Sequence, residues 1–359
     1  MDLLQQCCEE RLSILYQPEE QSWARLRLHQ ELKAIRAYGQ GQAFENARNS
    51  VQLVRDQGGF CRLIGAGCSS VVSYLIGLSE IDPIAHGLLY ERFLEANSLR
   101  TVQFQLVAYW KAGPVEAERQ PIHDGQSNPA VRIQHATPFE AVPELVAEEI
   151  RRNDNSFDLT SIPPHDELAY LTLHYGYTDG LSRFDSLDAR LLLSDLKPRS
   201  LTEIAAIKAI LIAETDEPGI LDEFVQRGFT KNCQVSAEWL VQKTLDDTRG
   251  MILFQEQIML VLNRVADIPL ADAYTFIKAV CKRRWEQVAT FREWFVAAAV
   301  GNGMDEPEAH TLFESIRNSA TRAVCKAHHL SEALTTYRTA FLKAHFPREF
   351  DRALHVIQR

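Results

Sequence analysis

The sequence predicts an α+β protein: a small mixed α/β part followed by a larger all-helical part. Three observations carry that reading. In the first 60 residues Leu26, Leu28, Leu32 and Ile35 recur at near-helical spacing between charged residues, the stripe of an amphipathic helix. Around residue 105, Val102, Phe104, Leu106 and Ala108 alternate with Gln103, Gln105 and Val107, the two-residue period of a strand. From Asp166 onward the pattern is helical almost to the end, broken at Pro198, Pro218-Gly219, Gly250, Pro269, Gly301 to Gly303 and Pro347.

The elements follow in order. Residues 1–60 read as mostly helical. Gly58-Gly59 turns the chain into a short apolar strand ending at Ile64. Gly65-Ala66-Gly67-Cys68-Ser69-Ser70 is a small-residue turn into the apolar run 71–78, read as a helix and ended by Asp82-Pro83. The alternating strand comes next. Residues 112–130 carry Pro114, Pro121 and Pro129 and read as a loop. Residues 131–135 are a further strand, residues 139–153 a helix, and Ile162-Pro163-Pro164 a linker.

Composition bounds the class. The 359 residues suggest two or three domains, and 46% hydrophobic with 24% charged residues excludes a disordered chain, a collagen-like repeat and a small disulfide scaffold. No apolar run approaches the ~18 residues that cross a bilayer. Met1-Asp2-Leu3 with Glu9 and Glu10 is not a basic leader. Seven cysteines without a Cys-x-x-Cys pair point to free thiols in a reducing cytoplasm. Net charge is −10, but from Gly250 onward 14 basic residues face 12 acidic ones. A chain so divided can bind nucleic acid if its basic residues share a face.

Several clusters carry candidate chemistry. Gly65, Gly67, Ser69 and Ser70 can cradle a phosphate with backbone N–H groups, or only permit tight strand–helix packing. Lys278, Lys282, Arg283 and Arg284, beside Trp285, can grip phosphates and stack on bases, or form a solvated helix face. Lys326 with His328 can meet a polyanion, or lie at a polar helix start. Adjacent His328 and His329 do not share a helix face, which speaks against a metal pair, and His165-Asp166-Glu167 has no second ligand motif nearby. Gln103 and Gln105 fall on one face of their strand, but neutral amides cannot offset the charge of Mg²⁺ as two carboxylates would.

Together these segments resemble the catalytic α subunit of bacterial DNA polymerase III, the C family of DNA polymerases. Thr248-Arg249-Gly250-Met251-Ile252-Leu253-Phe254-Gln255-Glu256-Gln257-Ile258-Met259 is similar to the family's T-x-G-V-I-V-Y-Q-E-Q-V-M. Lys282-Arg283-Arg284 resembles its G-K-K-K, and residues 337–347 its Y-Q-T-A-Y-L-K-A-H-Y-P, which adds Lys343 to the basic candidates. Upstream, residues 74–94 resemble Y-L-L-G-I…D-P…G-L-L-F-E-R-F-L. Residues 176–180 and 196–198 resemble G-D-T-x-G and L-K-P.

The departures are as informative. Where the family has P-D-I-D-I-D-F, this chain has Gln103 and Gln105 in place of the first two metal-binding aspartates. The third falls on Gln134, with Asp158 in a rival register. The family's G-R-G-S-A-A-G-S turn lacks its Arg, and its R-P-G is here Glu217-Pro218-Gly219. Only 28 residues separate Gln105 from Gln134, too few for the family's thumb.

The resemblance implies a reduced nucleotidyltransferase-like palm over residues 1–160, without a thumb, and a helical fingers-like domain over 161–359. It implies a catalytically inactive cytoplasmic protein that binds DNA weakly, as primer–template or single strand, or a replication or repair partner. No cofactor, metal or membrane is expected. Two alternatives stand beside it. One is an active polymerase using Mg²⁺ with ligands relocated to Asp124, Asp154 or Asp158. The other is a protein-only interaction module.

Overall fold

The computed structural model describes residues 2–94, 102–109, 130–229 and 239–357. The fold is α+β, helical apart from one three-stranded sheet. Two compact units divide it. Unit 1 comprises Met1–Pro198 and Leu330–Arg359, and unit 2 comprises Arg199–His329. These units are drawn differently from the expected division at residue 160. The C-terminal helices return to the N-terminal unit instead of closing the helical one.

Unit 1 opens with α1 (Asp2–Leu15), α2 (Gln21–Ala37) and α3 (Gly41–Asp56). In α3 the buried Phe44, Ala47, Val51 and Val54 form the inward stripe. Strand β1 (Phe60–Ile64) passes through a 3₁₀ turn, Gly65–Ser69, into the short α4 (Val71–Leu75), and α5 (Glu91–Leu94) follows. The helix expected over 71–78 is thus shorter, because Gly77 turns the chain at φ +76°. Strands β2 (Phe104–Tyr109) and β3 (Val131–His135) complete the sheet. Most of the expected loop 112–130 lies outside the described residues.

Strand β2 is central. It pairs antiparallel with β1 and parallel with β3. The pleat therefore sorts side chains onto two faces. Phe104, Leu106 and Ala108 are buried on one, where Phe104 meets Phe44 at 4.9 Å and Phe93 at 5.1 Å, edge to face. The other face carries Gln105, Val107 and Tyr109 of β2, Phe60, Arg62 and Ile64 of β1, and Arg132 and Gln134 of β3.

A capping box joins Thr137 and Glu140 ahead of α6 (Val142–Arg151). Helix α7 (Glu167–His174) starts on an Asp166 cap, and α8 (Leu187–Leu196) on Ser186. Helix α8 stops at Lys197, held at φ +47° with Pro198 next. The Leu196-Lys197-Pro198 match is thus a helix terminator.

Unit 2 holds α9 (Leu201–Asp216), α10 (Ile220–Phe229), α11 (Trp239–Leu245), α12 (Gln255–Ala266), α13 (Leu270–Cys281), α14 (Trp285–Gly301) and α15 (Glu306–Ala320). Its core is aromatic: Phe276 lies 5.6 Å from Phe291 and 5.5 Å from Phe313, and Phe295 lies 5.6 Å from Phe313. Helix α16 (Lys326–His345) begins in this unit and supplies its later residues to unit 1, followed there by α17 (Pro347–Ile357).

Candidate nucleic-acid interface

The three glutamines meet on one strand face. Gln103 precedes β2 and is exposed, Gln105 is half-buried on β2, and Gln134 is exposed on β3. The parallel register sets Gln105 opposite Arg132 and Val107 opposite Gln134. Gln105, Arg132 and Gln134 therefore share the face, and Gln103 leads into it. None of these four side chains has a hydrogen-bond or ion-pair partner among the described residues. The result is a strip of three neutral amides and one guanidinium, exposed at Gln103, Arg132 and Gln134 and half-buried at Gln105.

This donor set does not fit a pair of Mg²⁺ ions. Such a site needs anionic oxygen to balance the charge, and amide oxygens are neutral. The rival carboxylates sit elsewhere. Asp154 is tied to Ser156, with Ser156 Oγ donating at 2.6 Å and its N–H at 3.0 Å. Asp158 accepts the Thr160 N–H at 2.8 Å, which holds its carboxyl below the usual range. Neither lies on β2 or β3, and Asp124 lies outside the described residues. Among the described residues no three His, Cys, Asp or Glu side chains group to hold a metal ion.

The turn at Gly65–Ser69 serves a different purpose from the expected phosphate cradle. Gly65 sits at φ +77°, a left-handed conformation that favours glycine, and a Cβ there would meet the movable tip of the Gln105 side chain. Gly65, Gly67, Ser69 and Ser70 are all buried. The N–H groups that would meet a phosphate already have an anion. Glu31, fully buried on α2, accepts from Ser70 Oγ at 2.6 Å, Val71 N at 3.0 Å and Val72 N at 3.3 Å. Arg27 donates to the same carboxylate at 2.7 Å and to the carbonyls of Ser69 and Leu88. The sequence signal for this lock is a glutamate inside the apolar stripe of Leu28, Leu32 and Ile35.

The segment 248–259, the longest match to the family, is likewise turned inward. Gln257 accepts the N–H groups of Leu253 and Phe254 at 2.9 Å each and donates to Thr248 Oγ1 at 2.6 Å. Gln255 donates to the Ala323 carbonyl, and the Gln255 and Val324 N–H groups close a parallel bridge between Phe254 and Val324. Glu256, 1% exposed, accepts the Lys326 N–H at 2.9 Å at the start of α16. The motif is a joint between α12 and the entry to α16.

The basic candidates separate. Lys282, Arg283 and Arg284 stand exposed at the turn between α13 and α14, next to the exposed Trp285. They have no ion-pair partner among the described residues. Lys278 lies over the Tyr274 ring at 5.1 Å. Lys326 pairs with Asp247 at 3.7 Å, and His328 packs on His329 at 5.3 Å. Lys343 belongs to unit 1, where it donates to the Asp179 carbonyl at 3.0 Å, and burial holds its ammonium below the ordinary lysine range. The exposed grip is therefore Lys282, Arg283 and Arg284 with Trp285.

Sequence reasoning missed a cavity of about 530 Å³ in unit 1, along the edge of β1. Arg62, Phe60 and Tyr109 of the glutamine-bearing face line it, opposite Glu144 of α6 and Thr335 of α16. Burial pushes the Glu144 carboxyl up to about 7, opposed first by the charge of Arg62 and then by a backbone hydrogen bond and Arg338, while the nearby Glu80 carboxylate adds to the rise. Glu148, Arg151 and Asp158 also line the space. A raised folded-state pKa adds stability below the unfolded value near 4.5, and that contribution is lost as pH rises through 7. Glu144→Gln is therefore expected to match the natural protein near pH 4 and exceed it at pH 8 by about 1–3 kcal/mol. Denaturation midpoints across that range check it.

Comparisons with known proteins place these observations. The model of the bacterial DNA polymerase III alpha subunit finger domain matches residues 141–303, starting upstream of the expected 161. The model of the bacterial DNA polymerase III alpha NTPase domain matches residues 2–101. The DNA polymerase III subunit alpha of Chlamydia trachomatis is 32% identical over 197 residues, 54% of this chain and 16% of that protein. The Aquifex aeolicus subunit is 28% identical over 214 residues, 60% and 18%. The Thermus aquaticus subunit is 30% identical over 210 residues, 56% and 17%. The matched stretch spans under a fifth of the length of these relatives.

Proposed function

From a chain that is a homologue of the bacterial DNA polymerase III α subunit, we propose a catalytically inactive nucleic-acid-binding protein that works in DNA replication or repair. The observation that carries this reading is the strip of Gln103, Gln105, Gln134 and Arg132. Strand pairing puts Gln105 and Gln134 on one face, at positions that the resemblance aligns with metal-binding aspartates, and no carboxylate stands at any of the three positions. Phosphoryl transfer draws most of its acceleration from electrostatic stabilisation around bound metals, and neutral amides do not supply it.

Removing carboxylates has a second consequence. Three carboxylates repel a phosphate backbone unless cations intervene, whereas amides and a guanidinium hydrogen-bond it directly. Binding on this face is then independent of divalent metal. The exposed Lys282, Arg283 and Arg284 add a sequence-independent phosphate grip, with Trp285 available for base stacking.

The test is a titration of a labelled primer–template and of the single strand, in EDTA and in Mg²⁺, over a range of salt. We expect equal affinity in both buffers and a log–log salt slope of roughly −2 to −3 for the few phosphates neutralised. No binding of either DNA at low salt would overturn the nucleic-acid reading and leave a protein-only module. Binding that requires Mg²⁺ would point to relocated carboxylates and an active polymerase.

A further inference from the structure

We propose that the cavity lined by Arg62, Glu144, Phe60 and Tyr109 is a binding site for a guanine nucleotide. It shares the sheet face of the strip through Phe60, Arg62 and Tyr109, but none of Gln103, Gln105 and Gln134 lines it, so the proposal does not depend on DNA being bound at the glutamines. Its volume of about 530 Å³ lies in the usual range for small-molecule sites.

The ligand class follows from which polar groups the protein leaves unused. Arg338 is taken by Glu80, to which it donates twice at 2.9 Å. Arg151 donates its Nε–H to the Phe157 carbonyl, and Asp158 accepts from Thr160. Arg62 uses Nη1 on Thr335 Oγ1 at 2.8 Å and on the Glu140 carbonyl, but its buried Nε has no partner. The buried Oε2 of Glu144 has none either. Buried polar atoms of native proteins are nearly always satisfied. A guanidinium and a carboxyl thus line one cavity with unsatisfied valences.

Guanine carries the complementary edge. Its N1–H and N2–H donors suit a carboxylate, and its O6 and N7 acceptors suit a guanidinium. Adenine turns a lone pair at N1 toward the carboxylate, and cytosine offers it one amino group. Phe60 and Tyr109, whose rings stack at 5.6 Å, line the wall with apolar surface for a planar base. Arg55, exposed in the same lining, suits a phosphate.

Equilibrium dialysis of the full chain with GMP, AMP, CMP and inorganic phosphate tests the proposal. The expected result is GMP binding at sub-millimolar concentration, with AMP and CMP at least about tenfold weaker. Affinity for GMP is expected to rise between pH 6 and pH 8 as Glu144 ionises. Glu144→Gln, which removes a buried charge and is expected to fold, should lose about tenfold in GMP affinity and abolish the pH dependence. Arg62→Lys keeps the charge but not the planar fork and should weaken GMP similarly. Photolabelling with 8-azidoguanosine monophosphate needs no variant and should mark Phe60 or Tyr109. Absence of GMP binding to about 1 mM, equal binding of all three nucleotides, full competition by phosphate, or labelling elsewhere would each overturn the proposal.

Discussion

Replacing Glu31 by alanine should cost about 3–5 kcal/mol of stability, the loss typical of breaking a buried charge pair from one side. Glu31 is fully buried and accepts four hydrogen bonds, from Arg27, Ser70, Val71 and Val72. Removing its carboxylate leaves the Arg27 guanidinium, only 18% exposed, without its anion, and leaves two N–H groups at the start of α4 without an acceptor. A large apolar cavity is not created, so the loss is electrostatic and not one of packing. Urea denaturation of the variant beside the natural protein checks it. A cost under about 1 kcal/mol would mean that the carboxylate is dispensable and that the turn could accept an outside anion.

Changing Gln103, Gln105 and Gln134 together to aspartate should weaken DNA binding in EDTA by about 10- to 100-fold. Two unit charges about 4 Å apart in water interact by about 1 kcal/mol, so three new repulsions, partly screened, reach that range. In Mg²⁺ the same variant should recover much of the loss, because aspartates on this face can recruit the cation that shields them. The natural protein should respond to neither EDTA nor Mg²⁺. Circular dichroism guards against misfolding, chiefly at residue 105, where the side chain lies against Gly65. Unchanged affinity in the triple variant would place the DNA away from the strip.

Much of the fold was legible because its signals are local. The alternation at residues 102–108 and the run at 131–135 became β2 and β3, and the interruptions at Pro198, Pro218-Gly219, Gly250 and Pro269 fall between helices, with the N-cap Ser200 just after the first. Strand order and register were not legible, since pairing joins residues far apart in sequence. Yet they decide that Gln105 and Gln134 share a face.

The turn at Gly65–Ser69 was ambiguous in sequence for a related reason. Its glycines and hydroxyls suit a phosphate equally well, and only the fold brings Glu31 from 40 residues upstream of Val71 to occupy it. The segment 248–259 carries the family resemblance in sequence, but only the fold shows its structural part, with Gln257 and Glu256 bonded to backbone. The cavity left no sequence trace, because Arg62, Tyr109, Glu144 and Thr335 come from four separated elements.

Primer extension tests the central claim most directly. The reaction holds a labelled primer–template, all four deoxynucleoside triphosphates and the protein in excess, first with Mg²⁺ and then with Mn²⁺. The account expects no added nucleotide in either metal while a native gel of the same mixture shows the DNA shifted. Extension that survives repeated purification, and that persists when Gln103, Gln105 and Gln134 are changed to alanine, would contradict it and locate the metal ligands elsewhere in the chain.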